Sequence, residues 1–168
     1  RARAAGRLHA APPPRHAFSD DDLNPAARMI PENEAPKPAA VLVPLVPRAD
    51  GLHLLLTERQ PHLRRHAGQI AFPGGKVDDG DDGAVGAALR EAREEVALPG
   101  EAVEILGTLP PHETVTGFTV TPVLALVRGA LDLRPEEGEV EEVFSVPLAH
   151  VLDVTRYHIE KRRWRGEW

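Results

Sequence analysis

Residues 74–98, GGKVDDGDDGAVGAALREAREEVAL, decide how this chain folds. Residues 84–96 hold no proline and one interior glycine, Gly86, and are dense in Ala, Leu, Arg and Glu. These are good helix formers, so the segment predicts a helix. Asp81 and Asp82 stand before it, where acids suit the positive end of the helix dipole. On such a helix Glu91, Glu94 and Glu95 fall at i, i+3 and i+4 and project from one face. Val85, Ala88, Leu89, Ala92 and Val96 form an apolar stripe on another side. One face packs and the other presents acid.

Three neighbouring carboxylates repel one another unless they are solvated, paired with arginine, or gathered round a cation. Magnesium fits the last case, since it takes oxygen ligands from a few carboxylates together with substrate phosphates. The plainer alternative is a solvated amphipathic helix in which Arg90 and Arg93 balance the acids. The segment ahead of the helix favours a site. Phe72-Pro73-Gly74-Gly75-Lys76 closes an apolar stretch and opens a loop whose paired glycines let backbone approach a ligand closely.

This order of strand, glycine loop and carboxylate-bearing helix resembles the Nudix box. Gly75 opens the box, Arg90-Glu91 and Glu94-Glu95 close it, and Leu98 ends it. The span from Gly75 to Arg90 is one residue longer than the general pattern, Asp81 stands where Glu is usual, and Ala97 replaces a Gly. The longer box resembles that of the coenzyme A pyrophosphatases of the superfamily. Their upstream signature is matched by Leu55-Leu56-Thr57-Glu58-Arg59-Gln60, Arg64, Gly68 and Phe72-Pro73-Gly74-Gly75, with Gln60 in place of Ser.

Upstream, residues 39–46 (AAVLVPLV) read as a buried strand in which Pro44 marks an edge or bulge. Asp50-Gly51 is a hairpin turn signal, and residues 52–57 are the partner strand, which delivers Arg59. Residues 61–67 form a basic loop. An arginine fork suits bidentate phosphate contacts, so Arg59 and Arg64 are candidates for substrate phosphates or for pairing with the acidic helix. Residues 1–38 lack periodicity and are rich in Ala, Pro and Arg, which reads as an arm preceding a domain over 39–168.

Downstream, Pro99-Gly100 ends the helix and residues 103–109 form a strand. Residues 110–113 read as a turn, and residues 114–127 as a β-rich run broken at Gly117 and Pro122. In the resembling family a Thr-Gly segment lines the site here, matched by Thr116-Gly117. Residues 135–142 (PEEGEVEE) are acidic and read either as a solvated loop or as the source of a further ligand or base from Glu137, Glu139 or Glu142. Residues 143–146 read as a strand, 147–152 as a short helix with proline in its first turn, and 157–164 as a strand.

The chain has 168 residues, enough for one domain. It has no cysteine, which removes disulfide and thiol chemistry and fits a cytoplasmic location. Its net charge of -6 disfavours nonspecific nucleic-acid binding, and no apolar run is long enough for a membrane-spanning helix.

The resemblance implies an α+β fold, the Nudix α/β/α sandwich with a mixed sheet, whose C-terminal helix is expected to be missing from this chain. The sheet face left bare by that absence makes a homodimer an expectation. It implies Mg2+- or Mn2+-dependent hydrolysis of the coenzyme A diphosphate to 4'-phosphopantetheine and adenosine 3',5'-bisphosphate. Glu91, Glu94 and Glu95 would hold metal with the Gly75 carbonyl, and Arg90 would orient the glutamates. Arg59, Arg64, Gly74, Gly75 and Lys76 would meet substrate. The general base stays open between the box and the late acidic loop. Two rivals are a hydrolase of another nucleoside diphosphate conjugate such as ADP-ribose, and a non-catalytic nucleotide sensor. The intact glutamates speak against the sensor.

Overall fold

A computed structural model describes residues 18–20, 34–63, 66–129 and 131–158. Its central strands are β2 (Lys37–Arg48) and β8 (Phe118–Val127), which run parallel with Lys37 opposite Phe118 and Leu45 opposite Leu126. β3 (Gly51–Arg59) returns antiparallel to β2 through the expected turn at Asp50 and Gly51. β9 (Val140–Pro147) pairs antiparallel with β3 on its other side. β6 (Val103–Thr108) and β7 (His112–Glu113) pair antiparallel with successive parts of β8. Three short strands complete a nine-stranded mixed sheet among the described residues: β1 (Phe18–Ser19) parallel to β7, β4 (Ile70–Ala71) on β3, and β5 (Gly74–Lys76) on β2.

The predicted helix is α1 (Gly83–Val96). Its apolar side buries Ala87, Ala88, Ala92 and Val96 against Ala40, Leu42, Leu55, Val123 and Ala125 of the sheet. The small Ala side chains let helix and sheet approach closely. Burying them and their neighbours contributes on the order of 25 cal/mol for each Å² of apolar surface removed from water. The opposite sheet face packs Val43, Leu45 and Leu54 beneath Leu148 and Val151 of α2 (Leu148–Leu152).

α1 ends through Ala97, which takes the left-handed conformation at φ 54° and ψ 31°. The Ala97 and Leu98 amides then donate to the Arg93 and Ala92 carbonyls at 3.1 and 3.2 Å, and Leu98 is buried. This is an αL closure, with the Ala97 amide reaching back four residues, and it explains why a glycine is usual at that position.

Several sequence expectations are corrected. β2 passes through Pro44 with neither edge nor bulge on the β8 side, and β8 passes through Pro122 without a break. Each proline sits where a neighbour changes. β2 pairs with β5 up to Val41 and with β3 from Leu45. β8 pairs with β7 up to Val120 and with β6 from Val123. The missing amide therefore interrupts no continuous ladder. His112 and Glu113, read as part of a turn, form β7. Lys37 and Pro38, read with the arm, belong to β2. Asp82 is the N-cap of α1 but makes no side-chain capping bond. A 3-10 turn at Val154–Arg156 precedes Tyr157. Of the strand expected over 157–164, all beyond His158 lies outside the described residues, as do most of the arm and Arg64.

Candidate active site

The site forms where β5 crosses the polar side of α1. Gly74 and Gly75 carry the backbone between β2 and the helix with no room for side chains. A Cβ on Gly74 would meet the Ala40 carbonyl and stand 2.7 Å from the Val41 Cα; one on Gly75 would stand 2.6 Å from the Glu91 Cδ. The paired glycines are thus required by two different neighbours, one backbone and one carboxylate. The Gly74 amide donates to Glu95 Oε2 at 3.2 Å.

The three box glutamates differ in setting. Glu95 is buried, 6% exposed, beneath the glycine turn. Its burial pushes its pKa up to about 7, against the opposing pull of the Gly74 amide, and the neighbouring Glu91 charge raises it further. Glu91 is partly buried and its pKa is also raised, first by desolvation. Glu94 is exposed.

Arg90 organises this face. Its Nη1 donates to Glu91 Oε1 and to Glu94 Oε2, both at 3.0 Å, and its Nη2 donates to the Lys76 carbonyl at 3.0 Å. Its Nε and Nη2 donate to the two oxygens of Asp81 at 2.9 and 3.1 Å. That pair holds the Asp81 carboxyl below its ordinary range and pushes the Arg90 guanidinium up. The departure from the usual Glu at Asp81 is therefore tied to the arginine of the box.

Arg59 comes from the end of β3. Its Nη1 stands 3.9 Å from Glu95 Oε1 and 4.0 Å from Glu139 Oε2, and its Nε is buried without a hydrogen-bond partner among the described residues. The upstream signature is thereby joined to the box. Glu139, among the three late-loop candidates, is the one that reaches this group, and its charge raises both Glu91 and Glu95.

A cleft of about 280 Å³ opens beside the turn. Gly74, Gly75 and Lys76 form one wall, and Thr114, Thr116, Phe118 and His66 contribute others. A second hollow of about 420 Å³, lined by Arg48, Leu133 and Glu142 among others, shares no residue with the cleft or the box. At the cleft's Thr114 end, His112 Nε2 lies 2.7 Å from Asp20 Oδ1, and Asp20 Oδ2 accepts from the Val115 amide at 3.2 Å. Nothing in the sequence signalled that contact, which spans more than ninety residues.

The donors round the turn are all oxygen and carry excess negative charge, which suits a hard divalent cation. Among the described residues no three acidic or imidazole side chains converge on one point as placed, because Arg90 stands between Glu91 and Glu94.

A mixed sheet flanked by helices, with these glutamates under a double-glycine turn, is the arrangement of one enzyme superfamily, and the NUDIX domain family model matches residues 36–165. The chain belongs to the Nudix family. It is 57% identical over 120 residues to a protein of Escherichia coli K12 described as an uncharacterized Nudix hydrolase, NudL, covering 71% of this chain and 62% of that protein. A NudL of Shigella flexneri is 52% identical over 136 residues, covering 81% and 69%. The chain thus spans less than two thirds of the E. coli relative's length. Among solved structures, the Nudix hydrolase RenU of M. smegmatis superposes with a TM-score of 0.59 at 28% identity, covering 71% of this chain and 76% of that one. A C. elegans Ap4A hydrolase gives 0.56 at 26%, covering 71% and 86%.

Proposed function

We propose that the protein is a metal-dependent Nudix hydrolase that cleaves the diphosphate of coenzyme A or its derivatives. The observation that carries this reading is the meeting of Arg59 with Glu95. The upstream signature is separate from the box in sequence, yet its arginine stands at the box's buried carboxylate. Arg64, the other signature arginine, lies outside the described residues and is assigned to substrate phosphate by the resemblance alone.

In this reading Glu91, Glu94 and Glu95, with the Gly75 carbonyl, hold Mg2+ or Mn2+, which Nudix hydrolases generally use. When bound, such an ion offsets the diphosphate charge and makes water a better nucleophile. Gly74, Gly75 and Lys76 line the cleft and form the wall assigned to the substrate phosphates. Arg90 orients Glu91 and Glu94 through its paired bonds and itself stays clear of substrate. Arg59 supplies positive charge at the rim. The general base is left between Glu91, Glu94 and Glu139. The catalytic domain is taken to begin with β2 at Lys37, and the residues before it are assigned to an arm that adds β1 to the sheet. A cytoplasmic location and a small-molecule partner, without nucleic acid, complete the reading. Among the described residues no helix is long and apolar enough to cross a membrane. The homodimer expectation is kept as a proposal.

Product analysis tests the substrate. The protein with magnesium is given coenzyme A, dephospho-coenzyme A and ADP-ribose in parallel. Adenosine 3',5'-bisphosphate forming fastest from coenzyme A is the expected result. Preferred cleavage of ADP-ribose keeps the hydrolase and discards the coenzyme A assignment. The similarity to an Ap4A hydrolase makes a dinucleotide a useful fourth substrate.

A further inference from the structure

Gln60 departs from the Ser of the upstream signature, and its surroundings give that departure a role. Its amide donates to the Glu139 carbonyl at 2.9 Å. Its Nε2 donates to the Val140 and Glu137 carbonyls at 3.2 and 3.4 Å. The same acidic segment is fastened at its other side to the end of α1. The Arg134 and Glu136 amides donate to the Val96 and Glu95 carbonyls at 3.1 and 2.9 Å. The segment read either as a solvated loop or as the source of a further ligand or base is a strap between the helix terminus and the end of β3, its glutamates exposed and its backbone anchored.

The strap presents Glu139 to Arg59. One guanidinium stands between two carboxylates, 3.9 Å from Glu95 and 4.0 Å from Glu139, and closes on neither. With Glu139 withdrawn, Glu95 is the remaining carboxylate within reach. Its burial in a poorly polarisable setting strengthens any pair it makes. An arginine that closed on Glu95 would neutralise the oxygen that a cation needs.

We propose that Gln60 is a positioning residue that keeps Glu139 beside Arg59, and so keeps Arg59 from capturing Glu95. This rests on the reading of Glu95 as a cation ligand. No bond is made or broken; the effect is on where one positive charge sits.

The probe is Mn2+ alone, titrated into the full chain and followed by the paramagnetic resonance of the free ion. Binding is counted as site binding only where Glu95→Gln removes it. Gln60→Met keeps the side chain's length and removes its donors. It should weaken that binding about two- to tenfold, the range of one or two lost hydrogen bonds. Glu139→Gln, an exposed change that leaves the core untouched, should weaken it to a similar extent, and the double variant should bind no more weakly than Glu139→Gln. In an Arg59→Gln background Gln60→Met should have no effect, which a merely structural role would not produce. Wild-type affinity in Gln60→Met, or the same loss with Arg59 absent, overturns the proposal and leaves the proposed function standing. Wild-type protein without Glu95-dependent Mn2+ binding overturns the cation site, and this proposal with it.

Discussion

Arg90 grips both carboxylate oxygens of Asp81, nine residues earlier, at 2.9 and 3.1 Å. The pair joins the turn before α1 to the polar side of the helix. It leaves Nη1 free to hold Glu91 and Glu94 together. Asp81→Asn keeps the size and loses the charge, so the guanidinium is drawn further onto the two glutamates. Turnover should fall roughly tenfold or more, the usual effect of losing a partner behind a ligand. Steady-state kinetics at neutral pH check this, and unchanged kcat would separate Asp81 from the site.

Gly75 and Gly74 should respond differently to alanine. At Gly75 the new methyl meets the Glu91 carboxylate, the far end of a side chain that can swing away. The protein should fold and lose about 100-fold in turnover, because a displacement near 1 Å is enough for that. At Gly74 the methyl meets the backbone of Ala40 and Val41, which cannot yield cheaply. That variant should lose about 1–3 kcal/mol of stability or more. Urea unfolding beside activity assays distinguishes the two, and equal stability in both variants would contradict the geometry.

Glu95 makes metal-free stability depend on pH. Its folded-state pKa of about 7 lies above the ordinary 4.5, so folding favours its protonated form. The stability it contributes is therefore complete below about pH 4.5 and is lost as pH rises through about 7. Glu95→Gln removes this dependence. With chelator present, the variant should gain on the wild type by about 2–3 kcal/mol between pH 5 and pH 8. Parallel pH slopes in urea unfolding would show that Glu95 is solvated.

Ala97 holds a left-handed conformation that glycine adopts freely. Ala97→Gly should stabilise the protein by about 1 kcal/mol with turnover unchanged. Thermal unfolding and a routine assay suffice, and a lower melting temperature would mean that the methyl packs usefully.

Glu94 is exposed and, among the described residues, its side chain pairs with Arg90, so its neutral variant should fold normally. On the proposed function, Glu94→Gln should abolish diphosphate cleavage. Full activity with an intact circular dichroism spectrum would remove Glu94 from the proposed metal site.

Local patterns were the most legible part of the chain. The helix period over residues 84–96 and the Asp50-Gly51 hairpin were readable because each is set by neighbours in sequence. Pro44 and Pro122 misled for the same reason. A proline's effect on a strand depends on which neighbour lies opposite its missing amide, and that is settled by pairings distant in sequence. The site followed the same division. Glu91, Glu94 and Glu95 were visible as a helical face, but their unequal burial comes from β5 lying across the helix. Arg59 was found through its match to the signature of the resembling family, whereas its position between Glu95 and Glu139 needs β3 and β9 side by side. The Asp20–His112 contact had no sequence signal, since both residue types are common in exposed loops.

The parallel pairing of β2 with β8 sets a timetable for synthesis. Lys37 lies opposite Phe118, so about eighty residues must be made between the first and second halves of that pair. The box glutamates precede β8 in the chain, yet the sheet face on which α1 seats Ala92 and Val96 is incomplete until Val123 and Ala125 of β8 arrive. A nascent chain thus carries the complete motif well before the sheet that seats its helix is closed.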